Sequence, residues 1–331
     1  MSLEVVRAGL LDTIQDGGRF GYQHLGINPN GVMDKLAMHI ANALVGNAYN
    51  EAVIEMAFPA AIFIFNNACL IALSGADFGA TINGRSIPIN HPIAIPSKSE
   101  LKFTKNNSSS FSYLAVQHGF EIQQWLNSAS TNLKATVGGC KGSALKKGDF
   151  ISFKQNRFTF SEASVFPWSP IVSFYNEPQL IHCIKGVEFD WLAKTSQKKL
   201  LKNSFVIITR SDRMGYCFQS EALVKLKDTE LLSTAVQFGT VQLLPSGQLI
   251  CLMADHQTTG GYPRVAQVIQ SDLPKLAQRK PNESITFKFV SLKEAEDRLV
   301  KQFQQLQQIQ TSCRLHLNQF LSENYKHRLE L

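Results

Sequence analysis

A chain of 331 residues that is 44% hydrophobic and 18% charged is long enough for about two domains with buried cores. Its net charge of +7 comes from dispersed lysines without a nucleic-acid reader motif, which argues against nucleic acid as a partner. Six scattered cysteines without a C-x-x-C pair, no signal-peptide pattern and no apolar run near the ~20 residues of a spanning helix point to a cytoplasmic protein with no membrane contact.

The first loop of note is Asp16 to Tyr22, DGGRFGY. Its paired glycines free the backbone to present N–H groups, and Asp16 and Arg19 either pair in a tight turn or grip a polar ligand. Met33 to Leu44 reads as a helix with Leu36, Ala37, Ile40, Ala41 and Leu44 on one face, stopping at Gly46-Asn47. Short strands follow at 61–65 and 70–73, a hairpin turns on Asn83-Gly84, and 101–103 alternates apolar with polar. Gly138 to Ser143, GGCKGS, superficially evokes a phosphate loop but lacks its spacing.

A lysine-rich turn followed by a strand occurs as KSELKF, KKGDFISF and KPNESITFKF, which hints at two similar barrels. A stretch of aromatic and proline residues at 159–169 lacks a long periodic pattern and places a boundary near residue 165. The expected division is 1–165, 166–291 and a helical tail over 292–331.

The second half begins with a strand over 179–184, a segment from Glu188 to Lys194, a basic helical stretch and a strand over 205–209. The loop SDRMGY, 211–216, follows. There Asp212 and Arg213 form either an exposed hairpin pair or an anion clamp. The loop ending LICLMADHQTTGGYPR gathers Asp255, His256, Gln257, Thr258, Thr259, Tyr262 and Arg264 around two glycines, as a site for a small polar molecule would. In it Asp255 suits a general base and His256 a group titrating near neutrality. Leu273 to Gln278 reads as a short helix. From Leu292 a long helix carries a seam of Leu299, Phe303, Leu306, Gln310, Cys313, Leu317 and Phe320, which serves either a tail packed on its own domain or a contact between protein chains. The eight histidines (24, 39, 91, 118, 182, 256, 316 and 327) show no pair at metal-ligand spacing, so no bound metal is expected, and there is no G-x-S-x-G elbow.

Together GLLDTIQDGGRFGYQHLGINPNGVMD, ALSGADFGATINGR, SDRMGY and FGTVQLLPSGQLICLMADHQTTGGYPRVAQVIQSDLPKLAQ resemble the biotin-dependent carboxyltransferase-like family, also labelled allophanate hydrolase subunit 2, over about residues 4–292. The resemblance implies a mainly β fold with some α, built as two cyclophilin-like β-barrel domains plus the long C-terminal helix. Its nearest branch implies an ATP-dependent 5-oxoprolinase that opens a lactam to L-glutamate and works with a B subunit (KipI-like) and an A subunit. ATP would be bound by the complex or by this chain, and the B–C pair has the option of forming a homodimer. Asp16, Arg19, Tyr22 and Asp34 would line the site from the first domain. From the second would come Asp212, Arg213, Tyr216, Asp255, Gln257, Thr258, Thr259, Tyr262 and Arg264, with Arg213 and Arg264 on anionic groups and Asp255 on the proton or water.

The chain departs from the family pattern at His256 for an arginine, at Lys185-Gly186-Val187 for Pro-Gly-Pro, at Asn127 to Thr131 for Gly-Ser-Arg-Ser-Thr, and at His118-Gly119 for Gly-Gly. The family also contains the carboxyltransferase of biotin-dependent urea carboxylases, whose biotinyl-lysine motif is missing here, and a KipA-like antagonist of a histidine-kinase inhibitor that acts by binding. Both stand as alternatives.

Overall fold

The computed structural model describes residues 1–105, 109–155, 159–226 and 231–325. The chain is mainly β and divides into two compact units. The first holds residues 1–18, 34–172 and the chain from Gln304, and the second holds 19–33 and 173–303. The units divide after residue 172, close to the boundary expected near 165, and two features invisible to local patterning appear. Segment 19–33 belongs to the second unit, and the terminal helix is not a separate tail, because its residues to Phe303 belong to the second unit and the rest to the first.

In the first unit the strands are β1 (Ser2–Arg7), β2 (Leu11–Gln15), β3 (Val53–Ala57), β4 (Ile62–Phe65), β5 (Cys69–Gly75), β6 (Ala80–Ile82), β7 (Arg85–Ser86), β8 (Pro92–Ile95), β9 (Ser99–Phe103), β10 (Phe111–Val116), β11 (Phe150–Ser152) and β12 (Ser164–Val165). They form two six-stranded sheets in the orders β11-β1-β4-β9-β6-β7 and β12-β8-β5-β10-β3-β2. Alternate residues face inward, so Leu3, Val5, Phe63 and Phe65 of one sheet share a core with Ile54, Ile71, Leu73 and Ile93 of the other. The β6–β7 turn falls on Asn83-Gly84, at φ 50° and 80°, as the dipeptide requires. Helix α1 (Lys35–Leu44) buries Leu36, Ala37, Ile40, Ala41 and Leu44 and begins at Asp34.

Asp12 on β2 is a buried carboxyl with no cationic partner among the described residues. Its Oδ2 accepts from the Ala61 N–H at 2.7 Å, while Oδ1 has no hydrogen-bond partner among the described residues. Burial pushes its pKa from the ordinary 3.8 up to about 7, against the pull of the Ala61, Ala57 and Gly9 backbone groups. Because the native pKa is raised, between about pH 4 and pH 7 the folded chain keeps a proton that the unfolded chain has released. Stability from this group is therefore lost as pH rises through that window. The stability of wild type minus that of Asp12→Asn, from denaturant unfolding at pH 4 to 8, should fall by at most on the order of 4 kcal/mol. A difference that stays flat with pH would refute the assignment.

The second unit contains β13 (Leu180–Lys185), α2 (Lys194–Lys202), β14 (Ser204–Ile207), β15 (Gly215–Gln219), β16 (Thr234–Ala235), β17 (Thr240–Leu243), β18 (Leu249–Leu252), β19 (Thr259–Gly260), β20 (Arg264–Val268), α3 (Leu273–Ala277) and β21 (Ser284–Phe289). Seven of its strands close a barrel in the order β13-β20-β17-β18-β15-β14-β21, the β13–β21 pair being parallel. Strands β16 and β19 make a separate two-stranded sheet.

Helix α4 (Leu292–Tyr325) confirms most of the expected seam. Cys313 and Leu317 are buried, Phe320 packs on Phe166 and Trp168, and the polar seam residue Gln310 donates to the Asn47 carbonyl at 2.7 Å. Phe303 leaves the seam, being 54% exposed. No helix among the described residues is long and apolar enough to cross a membrane.

Candidate functional site

The Asp-Arg-Met-Gly-Tyr loop connects β14 to β15, and Asp212 serves the turn itself. Its Oδ1 accepts from the Met214 N–H at 2.8 Å and the Gly215 N–H at 3.2 Å, the short-range bonding natural to an aspartate in a turn. Arg213 is buried. Its Nε donates to Asp255 Oδ2 at 2.8 Å and its Nη2 to Asp255 Oδ1 at 2.9 Å, a bidentate pair, and Nη2 also reaches the Gly31 carbonyl at 2.6 Å. The hydroxyl of Tyr216 donates to the Ala277 carbonyl at 2.9 Å, tying β15 to the end of α3.

Segment 19–33 completes this network. Arg19 Nη1 donates to Asn30 Oδ1 at 2.6 Å, and Asn30 Nδ2 donates to Asp255 Oδ1 at 2.7 Å. Asn28 Nδ2 adds a bond to the Asp255 carbonyl at 3.1 Å. Asn30 and Gly31 take φ of 53° and 94°, a left-handed step that asparagine and glycine tolerate best. One chain of hydrogen bonds, Arg19 to Asn30 to Asp255 to Arg213, therefore joins all three motif loops. Tyr22 is half-buried and precedes a single 3₁₀ turn over Gln23–Leu25.

From Asp255 the third loop runs to β20. His256 is buried with Nδ1 against the Gln257 carbonyl. Burial lowers its pKa, opposed by that carbonyl and by Asp255, so the expected titration near neutrality is displaced towards acid. Gln257, Thr259 and Tyr262 are exposed and Thr258 is half-buried. At the far end Arg264 donates from Nε to Glu188 Oε2 at 2.9 Å and from Nη2 to Glu188 Oε1 at 2.8 Å, while its backbone N–H meets Oε2 at 2.9 Å. Burial pushes Glu188 up, but the hydrogen bonds and charge of Arg264 outweigh it and hold the carboxyl below its usual range. Both arginines expected to take anions thus already hold carboxylates of their own unit.

Asp16 and Asp34 belong to the first unit. The Asp16 carboxylate accepts from the hydroxyls of Ser128 at 2.7 Å and Ser130 at 2.6 Å, and from the N–H groups of Ala129 at 2.6 Å and Gly18 at 2.8 Å. Asp34 caps α1 by accepting from the Ala37 N–H at 3.0 Å, and its own N–H donates to Tyr113 Oη at 2.9 Å, which in turn donates to Glu55 Oε2 at 2.8 Å. The Gly138 to Ser143 loop closes on itself through a Gly142 N–H to Gly138 carbonyl bond of 2.7 Å. No group of three or more His, Cys, Asp or Glu among the described residues is arranged to hold a metal, and His327 lies outside them.

The family model for the carboxyltransferase domain, subdomain A and B, matches residues 25–289. The chain is 38% identical over 283 residues to the 5-oxoprolinase C subunit of Haemophilus influenzae, covering 86% of this chain and 89% of the relative. It is 33% identical over 317 residues to the Escherichia coli protein of the same name, covering 95% and 99%. The chain belongs to the carboxyltransferase family, in its branch of 5-oxoprolinase C subunits. The urea amidolyase of K. lactis shares the fold, with a TM-score of 0.85 at 22% identity, where 93% of this chain matches 20% of that one.

Two of the segments that depart from the family pattern have defined local contacts. Ala129, within the Asn127–Thr131 stretch, donates its backbone N–H to Asp16 at 2.6 Å and accepts from the Gly139 N–H at 2.9 Å. In Lys185-Gly186-Val187 a Cβ at Gly186 would run into the Arg264 carbonyl oxygen, so glycine is the residue that fits there. Asn30 and Glu188 were absent from the sequence-based site. The Asn30-Gly31 dipeptide is a turn signal that marks the first, whereas nothing local marks a glutamate whose partner lies 76 residues on.

Proposed function

We propose that this chain is the C subunit of an ATP-dependent 5-oxoprolinase, working in a complex with a B and an A subunit to open 5-oxoproline to L-glutamate. The observation that carries the reading is relatedness along nearly the whole chain to two proteins of that name, with the three motif loops joined through Asp255. A lactam carbon is a poor electrophile. Transfer of the γ-phosphoryl of ATP to the lactam oxygen, with ADP leaving, gives water a reactive carbon; the ring C–N bond then breaks and phosphate departs.

In this chain Gln257, Thr258 and Thr259 supply neutral hydrogen-bonding groups to the ring amide, and Tyr22 and Tyr262 pack against the ring. Asp255 accepts three hydrogen bonds from Arg213 and Asn30, so it anchors the loop and leaves activation of water to another group. ATP is bound by the assembled complex.

Mixing the three proteins with 5-oxoproline and ATP should release glutamate, while any two should not. Turnover of urea with bicarbonate and a biotinylated carrier, and none of 5-oxoproline, would replace this reading with that of a urea carboxyltransferase. Binding to a histidine-kinase inhibitor without turnover of either would favour the antagonist.

A further inference from the structure

The loop from Asp255 to Arg264 is fixed at both feet by the same device. Asp255 is held bidentately by Arg213 at the first foot, and Arg264 is held bidentately by Glu188 at the second. Glu188 is 4% exposed, and it binds the backbone of Arg264 in both directions: its Oε2 accepts the Arg264 N–H at 2.9 Å and its own N–H donates to the Arg264 carbonyl at 3.1 Å.

The second foot also reaches the middle of the loop. Arg264 Nη1 donates to the Ala235 carbonyl at 3.4 Å, and Ala235 on β16 pairs with Thr259 on β19. The Val236 N–H next to it bonds the Thr258 carbonyl at 3.1 Å. Glu188 therefore orders, through one guanidinium, the strand against which Thr258 and Thr259 are laid. Two such fork-to-carboxylate pairs fix direction as well as distance, which a single hydrogen bond does not.

We propose that Glu188 is a positioning residue for the reaction, holding Arg264 and β16 so that Gln257, Thr258, Thr259 and Tyr262 stand preorganised for the substrate. The proposal rests on the 5-oxoprolinase reading for the identity of that substrate. Arg264 in this arrangement is a post for the loop and takes no anion from the substrate, and any anionic group is bound elsewhere in the complex. Preorganisation of this kind acts on the transition state, so its loss lowers kcat more than it raises KM.

The test uses Glu188→Gln, which keeps the side chain's size and removes its charge, with Glu188→Asp as the conservative variant. In the full chain, amide hydrogen exchange over 256–263 should quicken about tenfold or more in Glu188→Gln, while exchange in β5 and β10 of the first unit stays as in wild type. In the three-protein complex kcat should fall at least tenfold with KM for 5-oxoproline within about threefold, and Glu188→Asp should recover part of kcat. Unchanged exchange in the loop overturns the proposal, as does quickened exchange with kcat within twofold of wild type. A wild-type complex that releases no glutamate counts against the 5-oxoprolinase reading alone, and the exchange experiment then still decides whether Glu188 holds the loop.

Discussion

Arg213→Ala is expected to lower the unfolding free energy by about 3–5 kcal/mol and to abolish glutamate release by the complex. The side chains of the pair are 5% and 15% exposed, so truncating the guanidinium strands the Asp255 carboxylate with only Asn30 to answer it. It also removes the donor to the Gly31 carbonyl, which links the β14–β15 loop to segment 19–33. Denaturant unfolding of Arg213→Ala, Asp255→Ala and the double variant gives the measurement. Because the two residues share their bonds, the double variant should cost clearly less than the sum of the singles. A cost below about 1 kcal/mol for Arg213→Ala would mean that the pair behaves as an ordinary surface ion pair and does not frame the site.

The second large effect is expected at Asp16. Its carboxylate, 5% exposed, satisfies two hydroxyls and two backbone N–H groups at once. Asp16→Ala should therefore cost about 3 kcal/mol or more, since donors to a charged acceptor are left buried without a partner. Ser128→Ala and Ser130→Ala each remove one donor to the carboxylate and one acceptor, of the Ser130 N–H and of the Asp16 N–H respectively, so each should cost roughly 1–2 kcal/mol. If Asp16→Ala instead kept full stability and lost only activity, Asp16 would be a ligand-binding residue rather than the clasp that closes residues 128–130 onto β2.

Periodic and short-range features could be read from the chain alone. The spacing of Leu36, Ala37, Ile40, Ala41 and Leu44 places α1 to within two residues, because an apolar stripe at that period has no other good conformation. Asn83-Gly84 sets its hairpin for an equally local reason. Asp255 and Arg213 could be named as site residues from their motifs, but not as each other's partners, since 42 residues separate them and both also suit a ligand. Glu188 was illegible: a glutamate ahead of a short 3₁₀ turn is unremarkable until Arg264 is brought to it. The same limit hid the split of the first unit into two sheets, because alternation reports which face is buried and not how a sheet closes.

Segment 19–33 also carries a consequence for the making of the protein. Asn30 leaves the ribosome 225 residues before Asp255, the carboxylate that it binds. At roughly 5–20 residues per second that interval is about 10–45 seconds. Throughout it the segment, with Phe20 and Leu25 outward even in the finished fold, has no barrel to join. The nascent chain therefore carries Asn30 without its partner carboxylate, and the segment without its barrel, for that whole interval.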